Sequence, residues 1–155
     1  MDSLAQKALN GFIRFHDTVY RRTHGWIGHR MMWIPSLLLH TVGAKTGEPR
    51  TAALAYGRDG ADYLVTASNG GAARSPGWYH NLKARPDVEV NVGRRRFPAT
   101  ARPVLPDDPD YDRLWKIVNK VNRGQYARHQ EQTSRPIPIV ALMPSAEGTT
   151  LLAAD

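Results

Sequence analysis

Along residues 4–20 the apolar positions recur with helical spacing. At about 100° per residue, Leu4, Ala5, Ala8, Leu9, Phe12, Ile13, Phe15, Val19 and Tyr20 gather on one half of a helical wheel. Gln6, Lys7, Asn10, Arg14, Asp17, Thr18 and Arg21 fill the other half. The pattern predicts an amphipathic helix ending in "RRTHGWIGHR", where Gly25 and Gly28 loosen the chain and basic residues suit a helix C-terminus. Its apolar face would pack on the domain or on a second subunit; a basic amphipathic segment can also lie on an anionic membrane.

From Pro35 the period shortens. "SLLLHTV" (36–42) reads as a buried strand, "GAKTGEPR" (43–50) as a turn, "TAALAYG" (51–57) as a second strand, "RDGA" (58–61) as a tight turn and "DYLVTAS" (62–68) as a third strand. "NGGAARSPG" (69–77) is a glycine-rich loop between a strand and a helix, a position that suits backbone contact with a ligand. The helix "WYHNLKA" follows and stops before Pro86. "VEVNV" (88–92) and "RFPATARPV" (96–104) give two more strands around a "GRR" turn. Residues 107–122 open with acidic groups and a proline and continue with helical spacing at Leu114, Ile117, Val118 and Val121. A final strand spans 135–144, and the tail from Ser145 reads as frayed.

Five or six short strands joined by hairpins, with helices inserted among them, predict a mainly β (α+β) domain, a small closed or partly open antiparallel β-barrel. The absence of a βαβ order argues against a parallel dinucleotide-binding sheet. The expected organisation is one domain over residues 1–155. It comprises an N-terminal amphipathic helical segment (1–32), a barrel core (33–144) and a tail (145–155).

Composition narrows the chemistry. A chain of 155 residues is long enough to bury a core without staples, and zero cysteines exclude disulfides, thiolate zinc sites, iron–sulfur ligation and thiol catalysis. No run approaches the roughly 20 apolar residues of a membrane span, and no signal-peptide pattern opens the chain, so a cytoplasmic protein is the simplest expectation. The net charge of +7 is uneven: +3 over residues 1–35, +5 over 36–103 and −1 over 104–155. That distribution suits an anionic ligand, a phosphate-bearing coenzyme, an acidic membrane surface or nucleic acid.

Motif by motif the alternatives thin. "GAKTG" is not a phosphate-binding Walker loop, because Ala44 rather than Gly precedes Lys45. Lys45 and Arg50 read equally well as solvated hairpin charges or as two cations holding a phosphate or carboxylate. The six histidines lack metal-ligand spacing, and no metal site is expected. The Asp107, Asp108, Asp110 and Asp112 cluster is helix N-terminal charge, and "GRRRF" is a solvated edge without the aromatic pattern of a nucleic-acid platform. Trp78, Tyr79 and Asn81 remain. At the first turn of a helix, free N–H groups favour an anion or ring carbonyl and a Trp offers a planar wall, fitting a flavin-like ring whose phosphate lies toward Lys45 and Arg50.

The segments "LLLHTVGAKTGEPRTAAL", "YLVTASNGGAARSPGWYHNLKARPDVEV" and "SRPIPIV" together resemble the deazaflavin (F420)-dependent nitroreductase family, a branch of the split β-barrel flavin/deazaflavin oxidoreductases of actinobacteria. The similarity runs from Trp33 to Pro144. It implies a split antiparallel barrel and reduced F420 (F420H2), a deazaflavin with a phospholactyl and polyglutamate tail, with FMN as the alternative cofactor. By that resemblance Gly43, Ala44, Lys45, Thr46 and Arg50 hold the tail, Ala44 standing where the family commonly has Arg. Ala67, Ser68, Asn69 and Gly70 line the phosphate and ring, Asn69 replacing a frequent Lys, and Trp78, Asn81 and Lys83 pack and anchor the ring region. The implied acceptor is a small enone, quinone, lactone or nitroaromatic, lined by Ala55, Arg123, Tyr126 and His129. Arg123, Tyr126 and His129 occupy positions where the best-known nitroreductase member carries three tyrosines. Tyr126, then Ser68, are the candidate proton donors. The rival expectations are a non-catalytic F420 carrier or sensor and an FMN-dependent relative. No nucleic-acid partner is expected; membrane contact through residues 4–20 and a homodimer are.

Overall fold

Strands β2 (Pro49–Ala55) and β3 (Gly57–Asp59) sit at opposite edges of one antiparallel sheet, yet only Tyr56 separates them in the chain. Consecutive Cα atoms are about 3.8 Å apart, so the sheet must curl until its two edges meet. The result is a split barrel, seen in a computed structural model that describes residues 34–146 and 149–151. The described strands and helices belong to one compact unit beginning at Pro35. The expected helix over residues 4–20 lies outside the described residues.

The remaining strands are β1 (Ser36–Val42), β4 (Asp62–Thr66), β5 (Asp87–Val92), β6 (Arg95–Val104), β7 (Ile139–Pro144) and β8 (Thr150–Leu151). Their order across the sheet is β2-β1-β5-β6-β7-β4-β3, with β8 against β6. Alternation along β1 sends Leu37, Leu39 and Thr41 inward, where they meet Tyr63, Val65, Val90, Phe97 and Leu142. Helix α1 (Gly77–Ala84) adds Tyr79 and Leu82 to this interior.

A second apolar layer lies on the other face. β4 is buried on both sides, which is why its sequence is a continuous apolar run. Leu64, Val104, Ile139 and Ala141 receive Tyr111, Leu114 and Val118 of helix α2 (Tyr111–Val121). The same parity turns Thr66 and Ser68 toward the helices.

The expected strands are present with shifted ends. "TAALAYG" divides at Tyr56, whose N–H donates to the Pro35 carbonyl where the chain passes from one sheet edge to the other. β4 ends at Thr66 because Ser68 already has helical dihedrals and leads a short 3₁₀ turn over Asn69–Gly71. Within the tail expected to fray, Thr150–Leu151 pairs with Arg95 and Arg96. Helix α3 (Gln125–Glu131) follows α2 after a break in which Arg123 (φ 60°) and Gly124 (φ 79°) are both left-handed.

Candidate active site

The turn after β1 closes through Gly43 N–H to the Glu48 carbonyl and Gly47 N–H to the Gly43 carbonyl, both at 2.8 Å. Thr46 Oγ1 accepts from the Glu48 N–H and lies where any Cβ on Gly43 would have to go, which explains the glycine. Asn81 reaches this turn from α1: its Oδ1 accepts from the Ala44 N–H at 2.9 Å, while its Nδ2 donates to Thr41 Oγ1 at 3.1 Å. Lys45 is exposed and has no ion-pair partner among the described residues. Arg50 is also exposed but is shared with Glu48 at 3.1 Å, so the two cations expected to act together differ in availability.

The glycine-rich loop is organised by Arg135. Its guanidinium donates to the carbonyls of Ser68 (2.8 Å), Ala72 (2.9 Å) and Ala67 (3.3 Å) and to Ser75 Oγ (3.3 Å). The fork geometry of arginine suits converging carbonyls. Asn69 (φ 47°) spends its side-chain amide on the Arg74 carbonyl, and Gly70 (φ 66°) faces open space. Gly71 is left-handed, and a Cβ there would come within 2.8 Å of the His129 carbonyl, so the loop can approach α3 only with glycine at this position.

Between β4 and the helix pair runs a polar seam. Ser68, buried, brings its Oγ to 3.1 Å from His129 Nδ1. Thr66 is buried at the end of β4 and Asn122 at the end of α2, and Tyr126 packs against the second apolar layer. Thr66 Oγ1 and Asn122 Oδ1 have no hydrogen-bond partner among the described residues. Burial pushes the Tyr126 phenol above its ordinary value, partly offset by the Thr66 and Asn122 side chains. Burial, then the Arg128 charge, holds His129 below 6.5. Asn119 fixes the helix break, donating to the Trp115 carbonyl and accepting from the Ala127 N–H, both within 2.9 Å.

Other expected residues fall around this core. Trp78 is half-buried against the barrel interior. Lys83 lies over the Tyr79 ring at 4.7 Å, one turn along α1, and no hydrogen bond or ion pair takes it to the 43–48 turn among the described residues. Ala55 is on the face opposite Leu54 at the end of β2, and Arg123 is exposed in the α2–α3 break. Arg135, Asn119, Gly71, Thr66 and Asn122 were not singled out from sequence. The Arg135-Pro pair opening "SRPIPIV" and the Asn-Arg-Gly break were the available signals.

The model of the F420H(2)-dependent quinone reductase family matches residues 12–144. This chain belongs to that family. An F420H(2)-dependent quinone reductase of Mycobacterium tuberculosis is 63% identical over 131 residues, covering 84% of this chain and 88% of that protein. A solved F420-H2 dependent reductase aligns with a TM-score of 0.63 at 34% identity, over 70% of this chain and 93% of its own. A second solved chain, described as a domain-swapped dimer, has the same TM-score and identity over 70% of this chain and 79% of its own. As a family member the chain is an F420H2-dependent oxidoreductase of split-barrel fold, and its cofactor is F420.

The residues present fit that group. An anionic tail needs a cation, and exposed Lys45 could supply it. A planar ring needs a flat apolar wall, which Trp78 offers. A polar acceptor needs buried hydrogen-bonding groups, and Thr66 and Asn122 have uncommitted oxygens. Among the described residues no helix is long and apolar enough to cross a membrane.

Proposed function

We propose that this protein reduces quinones at the expense of F420H2, the acceptor gaining a hydride and then a proton from a side chain of the β4–α3 seam. The observation that carries this is the row of hydroxyl, phenol and imidazole groups formed by buried Ser68 and half-buried Tyr126 and His129, a set able to deliver a proton beside the loop proposed for the coenzyme. Reduced F420, when bound, supplies the hydride.

The protein's own task is to bind, orient and exclude water. Lys45 and Arg50, with the backbone of Gly43, Ala44 and Thr46, would hold the anionic tail. Ala67, Ser68, Asn69 and Gly70 would follow the phosphate and ring edge on a loop that Arg135 keeps in shape. Trp78 would pack on the ring, Lys83 would lie nearby on the same helix, and Asn81 would act through the turn it ties. The acceptor would lie among Ala55, Arg123, Tyr126 and His129, with Tyr126 giving the proton and Ser68 second in line. Lipid-soluble quinones would be met from the cytoplasmic side, with residues 4–20 as the candidate contact with an anionic membrane. A homodimer is the candidate assembly, by analogy with the dimeric relative.

The test is oxidation of F420H2 by the purified protein with menadione and with a simple enone as acceptors. Faster turnover with menadione supports quinone reduction; equal or better turnover with the enone moves the assignment to ene reduction. Tight F420 binding without turnover on either would make the protein a carrier.

A further inference from the structure

The bond between Ser68 Oγ and His129 Nδ1 joins the chain just past β4 to α3. Thr66, the last residue of β4, lies two residues before Ser68. Tyr126 lies three residues before His129, about 4.5 Å back along its helix. Thr66 and Tyr126 thus lie on the two stretches of chain that the Ser68–His129 contact brings together. Asn122 is four residues before Tyr126, at the last position before the chain breaks through Arg123 and Gly124. A non-glycine left-handed residue is costly, and the break is locked by Gly124 N–H to the Asn119 carbonyl (2.8 Å) and by the Asn119 side chain.

Thr66 and Asn122 are 7% and 4% exposed, and each has an oxygen with no hydrogen-bond partner among the described residues. Buried oxygens of this kind are rare because each forfeits its bonds to water. The group they share is the Tyr126 phenol, whose burial-raised pKa both side chains lower as hydrogen-bonding neighbours. The Thr66 hydroxyl and the Asn122 amide N–H can each donate to the phenol oxygen, which favours its ionised form, while Asn122 Oδ1 can only accept. Hydrogen bonds of catalytic groups often tighten only when substrate is present.

We propose that Thr66 and Asn122 are positioning residues for Tyr126, one from the sheet and one from the helix end, aiming its hydroxyl at the acceptor and stabilising the oxygen when its proton leaves. Their role in turnover rests on the proton-donor assignment of Tyr126, in which the phenol proton passes to the oxygen of the hydride-reduced acceptor and is replaced from solvent. A titratable ring on the same helix is His129, with centroids 6.2 Å apart, and Arg128 adds a charge on that helix. From β4 and the end of α2 come the neutral Thr66, Ser68 and Asn122.

The experiment measures the phenol directly, in protein without added coenzyme. Tyrosine-ring carbon resonances are titrated in wild type, Thr66→Val, Thr66→Ser and Asn122→Leu, with Tyr126→Phe identifying the signal. The Tyr126 titration should move upward in Thr66→Val and Asn122→Leu and return in Thr66→Ser. With F420H2 and menadione, Thr66→Val should lower kcat about tenfold with KM for menadione within about twofold, and Thr66→Ser should restore it. An unmoved titration in folded Thr66→Val overturns the contact. A wild-type rate in Tyr126→Phe overturns the proton-donor assignment, and the titration then decides the contact separately.

Discussion

Asn81 ties Thr41 to the turn that follows it, donating to Thr41 Oγ1 at 3.1 Å while accepting from the Ala44 N–H at 2.9 Å. One side chain thus links the barrel interior, the first turn after β1 and the helix that carries Trp78. Replacing it with alanine removes both bonds and leaves the buried Thr41 hydroxyl without this donor, a loss of about 1–3 kcal/mol. Asn81→Ala should melt several degrees below wild type and bind F420 more weakly. Asn81→Asp, which keeps the acceptor for Ala44, should retain more of the affinity. Thermal melts with fluorescence titration check this; wild-type affinity in Asn81→Ala would show that the turn holds its shape unaided.

Lys45 extends from that turn into solvent without an ion-pair partner among the described residues, whereas Arg50 is shared with Glu48. Lys45→Ala should raise the F420 dissociation constant about tenfold, the scale of one charge-assisted contact, and leave kcat nearly unchanged. Because exposed charges are screened, wild-type affinity should also fall with salt, and the variant should be less salt-sensitive. Affinity equal to wild type at low salt would remove Lys45 from the tail site.

Arg135 holds the loop from Ala67 to Ser75 with four donated hydrogen bonds. Lysine cannot reproduce that fork. Arg135→Lys should cost about 1.5–3 kcal/mol in urea unfolding, the range for hydrogen bonds involving a charged group. It should also accelerate hydrogen exchange at Gly71 and Ala72, whose N–H groups close the 3₁₀ turn. Unchanged exchange at those amides would mean that the loop is set by its glycines alone.

The short apolar run of "SLLLHTV" was enough to locate β1 as a strand, and its register is pinned because one face is buried and a slip would expose Leu37 and Leu39. The Gly and Pro punctuation located the loops, and the quoted family segments identified the coenzyme class. Barrel closure through Tyr56 was not readable, since pairing partners far apart in sequence leave no local periodicity. Helix α3 was missed because its faces are polar and no residue of it is buried; the family resemblance singled out Tyr126 and His129, whereas Asn122 acquires meaning only beside Thr66 and Tyr126. Arg135 looked like a strand residue, because its four acceptors lie 60 or more positions away.

His129 gives a pH test of the same seam. Burial and the nearby Arg128 hold its imidazole below the ordinary 6.5, so the folded protein prefers the neutral ring more strongly than the unfolded chain does. Above pH 6.5 both states are neutral at this position and the contribution to stability is fully present. As pH falls below 6.5 the unfolded chain takes up the proton first, so stability is lost until the folded-state value is passed. His129→Gln, which keeps a hydrogen-bonding side chain opposite Ser68 and cannot titrate, should match wild type near neutral pH and lose less stability between pH 6.5 and 5. Urea unfolding at several pH values measures this difference. Parallel curves for the two proteins would show that His129 titrates in the folded protein as it does in the unfolded chain, and that the Ser68 contact does not select its neutral form.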